Sequence, residues 1–196
     1  MFFNKKKIKM GIREGVAMAV DTFVDMNMRV FMEIADVSKK MGYIIDTAEN
    51  RVVFAIGLLV PQMFYSYQVY PQEKAEYISK LTEYFLGTFE NDSKYIYGTN
   101  GAYLDISEID ILSVYQAYEE IYVQAEDDYL NCRDSTCVLP PLKVISAILA
   151  YMIDYDAKET GIDDLQTIYD ICVSKIAKHI DFWKTLDSKV EYVWTD

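Results

Sequence analysis

The chain has 196 residues, of which 52% are hydrophobic and 26% are charged, and its formal net charge at pH 7 is −12. This composition is typical of a folded globular protein and excludes a disordered chain that is poor in apolar residues. The length is sufficient for one substantial core and too short for two large independent domains.

The first eleven residues are predicted to be a basic tail. Four lysines lie between positions 5 and 9, and charged residues interrupt the apolar run that a secretory signal would need after them. We therefore expect residues 1–11 to be a solvated tail and residues 12–196 to form a single helical domain.

The chain contains three cysteines, at positions 132, 137 and 172. An odd number argues against a closed disulfide framework and favours a reducing compartment, so we expect the protein to be cytoplasmic. Cys132 and Cys137 share a predicted loop, where a zinc site would need two further ligands. We expect a structural or incidental pair of thiols there rather than a zinc or redox site, and no cofactor. The one histidine, His179, lies on an apolar stripe and is predicted to be a core residue rather than a catalytic base.

A long amphipathic helix is predicted after the tail. Apolar residues recur at steps of four and three from Val16 to Met41, and Gly42 is placed to end the helix. Asn27 takes the one polar position of this heptad pattern. A buried asparagine can fix the register of paired helices, so one interpretation is a homodimer through this helix. The simpler interpretation is a bundle helix whose Asn27 is satisfied within its own core.

Residues 52–72 contain no charged side chain, which raises the question of a membrane span. The prolines, glutamines and tyrosines of the second half would place many polar groups in hydrocarbon. We therefore expect no transmembrane segment. Instead, residues 52–60 should form a buried helix that Pro61 kinks or splits.

A third helix, with Pro71 in its first turn, is predicted to lead into a small β-hairpin. Two strand-prone pieces flank the sequence Gly98-Thr-Asn-Gly101, which indicates a turn. This glycine loop lacks the lysine and the following helix of a P-loop, so we do not expect it to bind phosphate. The predicted fold class is all-α, a bundle of about six helices with a small β-hairpin insertion near residues 94–105.

The most distinctive segment is a helix predicted over residues 107–130, opened by a capping box of Ser107 and Asp110. Four tyrosines share one face of this helix. They are Tyr115, Tyr118, Tyr122 and Tyr129. Residues 103–134 carry nine acidic residues and one basic residue, which argues against direct binding to nucleic acid and favours a basic partner.

A helical projection shows where five carboxylates lie relative to the tyrosine face. Glu108, Glu119 and Glu126 fall beside Tyr115, whereas Glu120 and Asp127 fall on the opposite, solvent side. In one interpretation the tyrosines pack in the core and the acids form a solvated face. In the other, they form a binding face together with the hairpin. The predicted partner-binding residues are Tyr95, Tyr97, Tyr103, Glu108, Tyr115, Glu119, Glu120, Glu126 and Asp127.

The sequence thus predicts a non-enzymatic interaction protein, whether an adaptor, an inhibitor or an assembly subunit, that engages a basic protein partner. One alternative is a metal-carboxylate helical enzyme acting on a phosphorylated small molecule, for which Glu73 and Glu76 have a suitable spacing. That alternative requires at least four carboxylates to converge. Another is an apolar-ligand protein with a closed cavity among Met63, Phe64 and Tyr67.

Overall fold

The computed structural model describes residues 7–69, 72–92, 94–97, 102–133, 137–153 and 162–193. Seven helices and four short strands make up this part of the chain. The helices are α1 (Ile12–Lys40), α2 (Ala48–Gly57), α3 (Leu59–Val69), α4 (Gln72–Asp92), α5 (Ile111–Asn131), α6 (Pro140–Ile153) and α7 (Ile162–Asp187). The strands are β1 (Ile8–Gly11), β2 (Tyr95–Tyr97), β3 (Tyr103–Asp105) and β4 (Val190–Val193). The predicted all-α class is confirmed.

The end of α1 follows from the backbone freedom of Gly42. This residue has a φ of 95°, a left-handed conformation that glycine adopts without steric cost. The N–H of Gly42 donates to the carbonyl of Lys39 at 3.2 Å, and the N–H of Tyr43 donates to the carbonyl of Ser38 at 2.9 Å. These two bonds satisfy the last carbonyls of the helix. The prediction of a helix of nearly thirty residues that ends at Gly42 is therefore confirmed.

The chain breaks before Pro61 rather than at it. Helix α2 ends at Gly57, and α3 begins at Leu59, so Pro61 lies in the first turn of α3. A proline is tolerated there because its missing N–H would have no partner within the helix. Within the described residues, none of the helices combines the length and the hydropathy that crossing a membrane requires.

Helix α2 lies at the centre of the molecule, and all seven of its residues from position 51 to 57 are buried. Thr47 caps the helix by accepting a hydrogen bond from the N–H of Asn50 at 3.1 Å. The helix ends at Gly57, where side chains of neighbouring helices lie close to the backbone. A Cβ at Gly57 would lie 2.9 Å from a δ-carbon of Ile148 and equally close to a ring carbon of Tyr118. The missing side chain therefore allows α5 and α6 to pack closely on α2.

A buried pair of side-chain amides connects three helices. The Nδ2 of Asn27 donates to the carbonyl of Ala55 at 3.0 Å, and the Nε2 of Gln62 donates to the Oδ1 of Asn27 at 3.1 Å. Asn27 is 0% exposed. Its amide is thus satisfied by partners in the same chain, and the homodimer through this helix stays a prediction.

Strand β1 pairs in parallel with β4, from Ile8 opposite Val190 to Gly11 opposite Val193. Residues 8–11 were expected to belong to the tail, but this pairing makes them part of the folded domain. Residues 1–6 of the predicted tail lie outside the described residues. The pairing also brings the two ends of the described chain together.

Cys132 and Cys137 form a disulfide with their Cα atoms 6.1 Å apart, and Cys172 is a buried free thiol. The prediction of two unpaired thiols in this loop is therefore wrong. An odd number of cysteines leaves one unpaired but does not prevent a local pair from forming, and this Cα separation suits a disulfide. The disulfide also weakens the argument for a reducing compartment, because that argument depended on the cysteine number.

Candidate functional site

Helix α5 begins later than predicted, which changes the surroundings of its first acidic residues. Asp110 is the N-cap, and its carboxylate accepts bonds from the N–H of Ser113 at 2.8 Å and from the Ser113 hydroxyl at 2.6 Å. The predicted start at Ser107 is wrong, because the N–H of Ser107 instead donates to Asp105 at 2.9 Å. Glu108 therefore lies in the loop before the helix, and the helical projection does not apply to it.

Most of the tyrosine face of α5 is buried in the core. Tyr115, Tyr118 and Tyr122 are between 3% and 7% exposed, whereas Tyr129, near the end of the helix, is 42% exposed. Tyr115 was expected to contact a partner, but its ring belongs to the core and is not accessible at the surface. The stripe is therefore chiefly a packing feature, and Tyr129 is its accessible part.

The predicted hairpin is present, with β2 and β3 antiparallel and Tyr95 opposite Asp105. Ile96 is buried, whereas Tyr95 and Tyr103 are exposed, with their ring centroids 6.3 Å apart. Tyr97 is opposite Tyr103 in the register, but its side chain lies outside the described part of the structure, as does the turn at residues 98–101. The hairpin thus presents an exposed pair of tyrosines.

The acidic residues of α5 do not form one surface. Glu120 and Asp127 are exposed, in agreement with the projection. Burial, followed by the nearby charge of Glu83 on α4, raises the pKa of Glu119, which places this carboxylate on the side of α4. Glu126 is half-buried beside Tyr122. The structure therefore separates carboxylates that the sequence analysis grouped together.

A groove of about 750 Å³ lies between α2, α5 and α6, and we call it the acidic groove. Aliphatic side chains supply six of its twelve described lining residues. They are Val53, Ile109, Val114, Ala117, Ile121 and Ala147. Its charged side chains are Glu49, Glu108 and Asp110, and no lysine, arginine or histidine is among the described lining residues.

The three carboxylates of the acidic groove differ in how many hydrogen bonds their oxygens already accept. Asp110 is engaged in capping α5. Glu49 accepts a hydrogen bond from the hydroxyl of Tyr151, and this bond is the main cause that raises the pKa of Tyr151. Glu108 is exposed and makes no hydrogen bond or ion pair with any described residue. Glu108 is therefore the carboxylate most available to a ligand.

The groove remains negative after the helix dipoles are included. The N-termini of α2 and α5 both lie beside it, since Glu49 is in the first turn of α2 and Asp110 caps α5. Each helix N-terminus contributes roughly half a positive charge. Against three carboxylates, this leaves about two negative charges uncompensated. The groove therefore favours cations over anions.

A smaller pocket of about 350 Å³ lies between α3, the C-terminal half of α5 and the start of α6, and we call it the tyrosine pocket. Its described lining comprises Pro61, Tyr65, Gln68, Tyr122, Glu126, Tyr129, Leu130, Leu139, Pro140 and Pro141. Glu126 is the one charged side chain among them. Leu130 and Leu139, which are 76% and 47% exposed, stand at either side of the disulfide loop.

For the two alternative functions, the structure describes only some of the residues concerned. Among the described residues, no three His, Cys, Asp or Glu side chains are grouped so that they could hold a metal ion. The side chains of Glu73, Tyr67 and His179 lie outside the described part. For the apolar-ligand alternative, Phe64 stacks on Tyr122 with ring centroids 4.1 Å apart, and the buried Met63 contacts Thr82. These two side chains are thus engaged in core packing.

Sequence reasoning found Glu108 but missed Glu49 and Tyr151. Their hydrogen bond joins residues 102 positions apart, so no local pattern could indicate it. The one available signal was the position of Glu49 just after the Thr47 cap, which places it near a helix N-terminus. That signal identifies the start of a helix but not the groove beside it.

Comparison of the chain with protein-family models, with curated proteins and with solved structures finds no match. The candidate sites are therefore defined by geometry and charge alone.

Proposed function

We propose that the chain is a non-enzymatic interaction protein and that its acidic groove binds a basic segment of a partner protein. The observation that supports this proposal is the combination of an aliphatic floor with three carboxylates and no basic side chain among the described lining residues. A cationic amphipathic segment matches both features, because its apolar side chains would cover the floor while its lysines or arginines pair with the carboxylates.

The carboxylates should contribute unequally to binding. Glu108 is exposed and uncommitted among the described residues, so it can turn fully towards an arriving cation. Glu49 already accepts the Tyr151 hydroxyl and keeps capacity for a second donor, because a carboxylate can accept about four hydrogen bonds. Asp110 is constrained by the cap. We therefore assign direct contacts to Glu108 and Glu49.

The exposed acids elsewhere on α5 have a different part in this proposal. Glu120 and Asp127 do not line the groove, and they are open to solvent. Charges of this kind steer a basic partner towards the surface and raise the association rate, particularly at low salt. They should affect the rate of encounter more than the lifetime of the complex.

Fluorescence anisotropy with a labelled synthetic peptide tests the proposal. The probe is a short amphipathic peptide with leucines on one helical face and lysines on the other, and its comparison is the same peptide with acetylated lysines. We expect the lysine peptide to bind and the acetylated one to lose most of its affinity. Glu108→Gln and Glu49→Gln should each weaken binding about two- to fivefold, which corresponds to exposed ion pairs.

The matched control is Asp36→Asn, which makes the same charge change at an exposed position on α1. It should leave the affinity nearly unchanged. An equal loss in Asp36→Asn and Glu108→Gln would show attraction to net charge alone and would reject the groove as the site. Equal affinity for both peptides would reject the basic partner.

A further inference from the structure

The tyrosine pocket has a chemistry that the proposed function does not use. Three aromatic rings line it, from Tyr65 on α3 and from Tyr122 and Tyr129 on α5, with a single carboxylate from Glu126. Pro61, Pro140 and Pro141 add rigid apolar walls. Electron-rich rings with one carboxylate and no described basic residue form an environment that favours an organic cation.

One ring of the pocket already has a cation on it. The Nζ of Lys184, on α7, lies 5.3 Å from the ring centroid of Tyr65, within the range of a cation–π interaction. Lys184 is not among the residues that line the pocket. The Tyr65 ring therefore already has a cation partner within the chain, and Tyr129 is the exposed ring of the pocket that remains for a ligand.

The charge of the pocket is set by Glu126. Burial, followed by the nearby Glu126 charge, raises the pKa of Tyr122 to about 12, so its hydroxyl stays protonated at neutral pH. An anion would meet the Glu126 carboxylate without a compensating base in the described lining. A neutral apolar ligand would leave that carboxylate unpaired. A monovalent cation satisfies both the rings and the acid.

The size and the apolar surface of the pocket restrict which cation fits. Its volume of about 350 Å³ is near the lower end of the roughly 300–1,000 Å³ usual for small-molecule sites, which suits a compact group. Leucine and proline side chains make up much of the lining, and they cannot replace the hydration of a primary ammonium. A lysine ammonium is strongly hydrated, whereas a methylated ammonium presents methyl groups.

We propose that the tyrosine pocket binds a trimethylammonium group. The ring of Tyr129 contacts the cation, Glu126 balances its charge, and Leu130 and Leu139 contact its methyl groups. This site is independent of the acidic groove, so either proposal can fail without the other. The group could be part of a free small molecule or of a methylated lysine, and the test includes both.

The first test is a titration of the protein with choline, followed by NMR or calorimetry. The comparison is the neutral carbon isostere of choline, in which carbon replaces the ammonium nitrogen. We expect choline to bind in the millimolar range and the isostere to bind at least about tenfold more weakly, because it has the same shape without the charge. Equal binding of the two compounds, or no choline binding at millimolar concentrations, would overturn the proposal.

Substitutions then distinguish the contribution of the aromatic rings to choline binding from that of the other apolar side chains. Tyr129→Phe keeps an aromatic face and should retain choline binding, whereas Tyr129→Leu should weaken it about three- to tenfold. Glu126→Gln should also weaken it. The matched control is Tyr84→Leu on α4, an exposed tyrosine that does not line the pocket. Unchanged binding in both Tyr129→Leu and Glu126→Gln, with folding intact by circular dichroism, would move the site elsewhere and contradict the proposal.

The source of the group is distinguished by a peptide containing trimethyllysine and its unmodified lysine counterpart. Tighter binding of the trimethyllysine peptide than of choline would assign the group to a protein, whereas tighter binding of choline would assign it to a small molecule. Equal affinity for the modified and the unmodified peptide, at a level above choline, would contradict recognition of the methyl groups.

Discussion

The acidic groove and the tyrosine pocket both use α5, yet they differ in the number of carboxylates and in the kind of apolar side chain that lines them. The groove combines three carboxylates with aliphatic side chains, whereas the pocket combines one carboxylate with three tyrosine rings and several leucines and prolines. Tyr118 lines the groove, and Tyr122, one turn further along the same buried stripe, lines the pocket. This difference shows that the helix packed against each part of the tyrosine stripe determines what that part contacts, since α2 covers one part and α3 covers the other.

The largest effect should come from a change that damages both sites together. Asn27→Ala removes the partner of the Gln62 amide and leaves the Ala55 carbonyl without its donor. We expect the free energy of unfolding to fall by about 2–4 kcal/mol, because two buried polar groups become unsatisfied and a cavity forms. Urea denaturation measures this loss.

The control for this prediction replaces both amides, as Asn27→Leu with Gln62→Leu. It should cost less than Asn27→Ala, because it leaves neither of the two side-chain amides buried without its partner. If Asn27→Ala lowered the free energy of unfolding by less than about 1 kcal/mol, the amide pair would contribute little to stability. A simultaneous loss of both binding activities could then not be attributed to the core that the two sites share.

A second change should affect the two sites differently. The disulfide lies between Leu130 and Leu139, which line the tyrosine pocket, and neither cysteine lines the acidic groove. Replacing Cys132 and Cys137 by serine should lower the stability by up to about 2 kcal/mol, because a short loop is released in the unfolded chain. Choline binding should weaken, and binding of the basic peptide should not change.

Thermal unfolding and the two titrations measure these effects on the same preparation. The parent protein in the presence of a reductant is the comparison, because it opens the same disulfide without a substitution. If the double serine variant lost both binding activities equally, the effect would be global, and the separation of the two sites would be contradicted.

The smallest effect should appear on a third flank of α5. Because burial and the charge of Glu83 raise the pKa of Glu119, the folded protein holds this proton more tightly than the unfolded chain does. Stability linked to this group is therefore greatest at low pH and declines as the pH rises past the ordinary glutamate pKa. Glu119→Gln should raise stability at pH 7 by about 0.5 kcal/mol.

Comparison of the melting temperatures of Glu119→Gln and the parent protein across pH tests this sign. The advantage of the variant should disappear at about pH 4, where glutamate carboxyls are largely protonated. Neither titration should change, because Glu119 lines neither site. An advantage that grew towards low pH would contradict the assigned cause of the pKa shift.

The elements that sequence reasoning predicted well are those determined by local chemistry. Gly42 and Thr47 each satisfy the backbone groups of an adjacent helix end, so their effects can be recognised within a few residues. The start of α5 was misplaced because both Ser107 and Asp110 are suitable capping residues. In the folded protein Ile106 and Ile111 are both buried, and the helix begins at Ile111.

The candidate site was only partly predictable because it depends on contacts between distant segments. Glu108 was identified from a helical projection, although it precedes the helix, and the groove also needs Glu49 and Tyr151 from α2 and α6. The tyrosine stripe indicated a helix face without showing whether that face is covered, and the structure covers Tyr115. A periodic pattern gives the direction of a side chain, whereas its accessibility depends on which helix packs there.

Gly57 gives the acidic groove a determinant that the partner would never touch. Because Tyr118 and Ile148 occupy the space of its missing side chain, a larger residue at position 57 would push Tyr118 outwards into the groove. In a saturation mutagenesis screen for binding, this interior position should therefore score like a contact residue. The selectivity of the groove for a partner would in that case depend in part on the absence of a methyl group at position 57, beneath its surface.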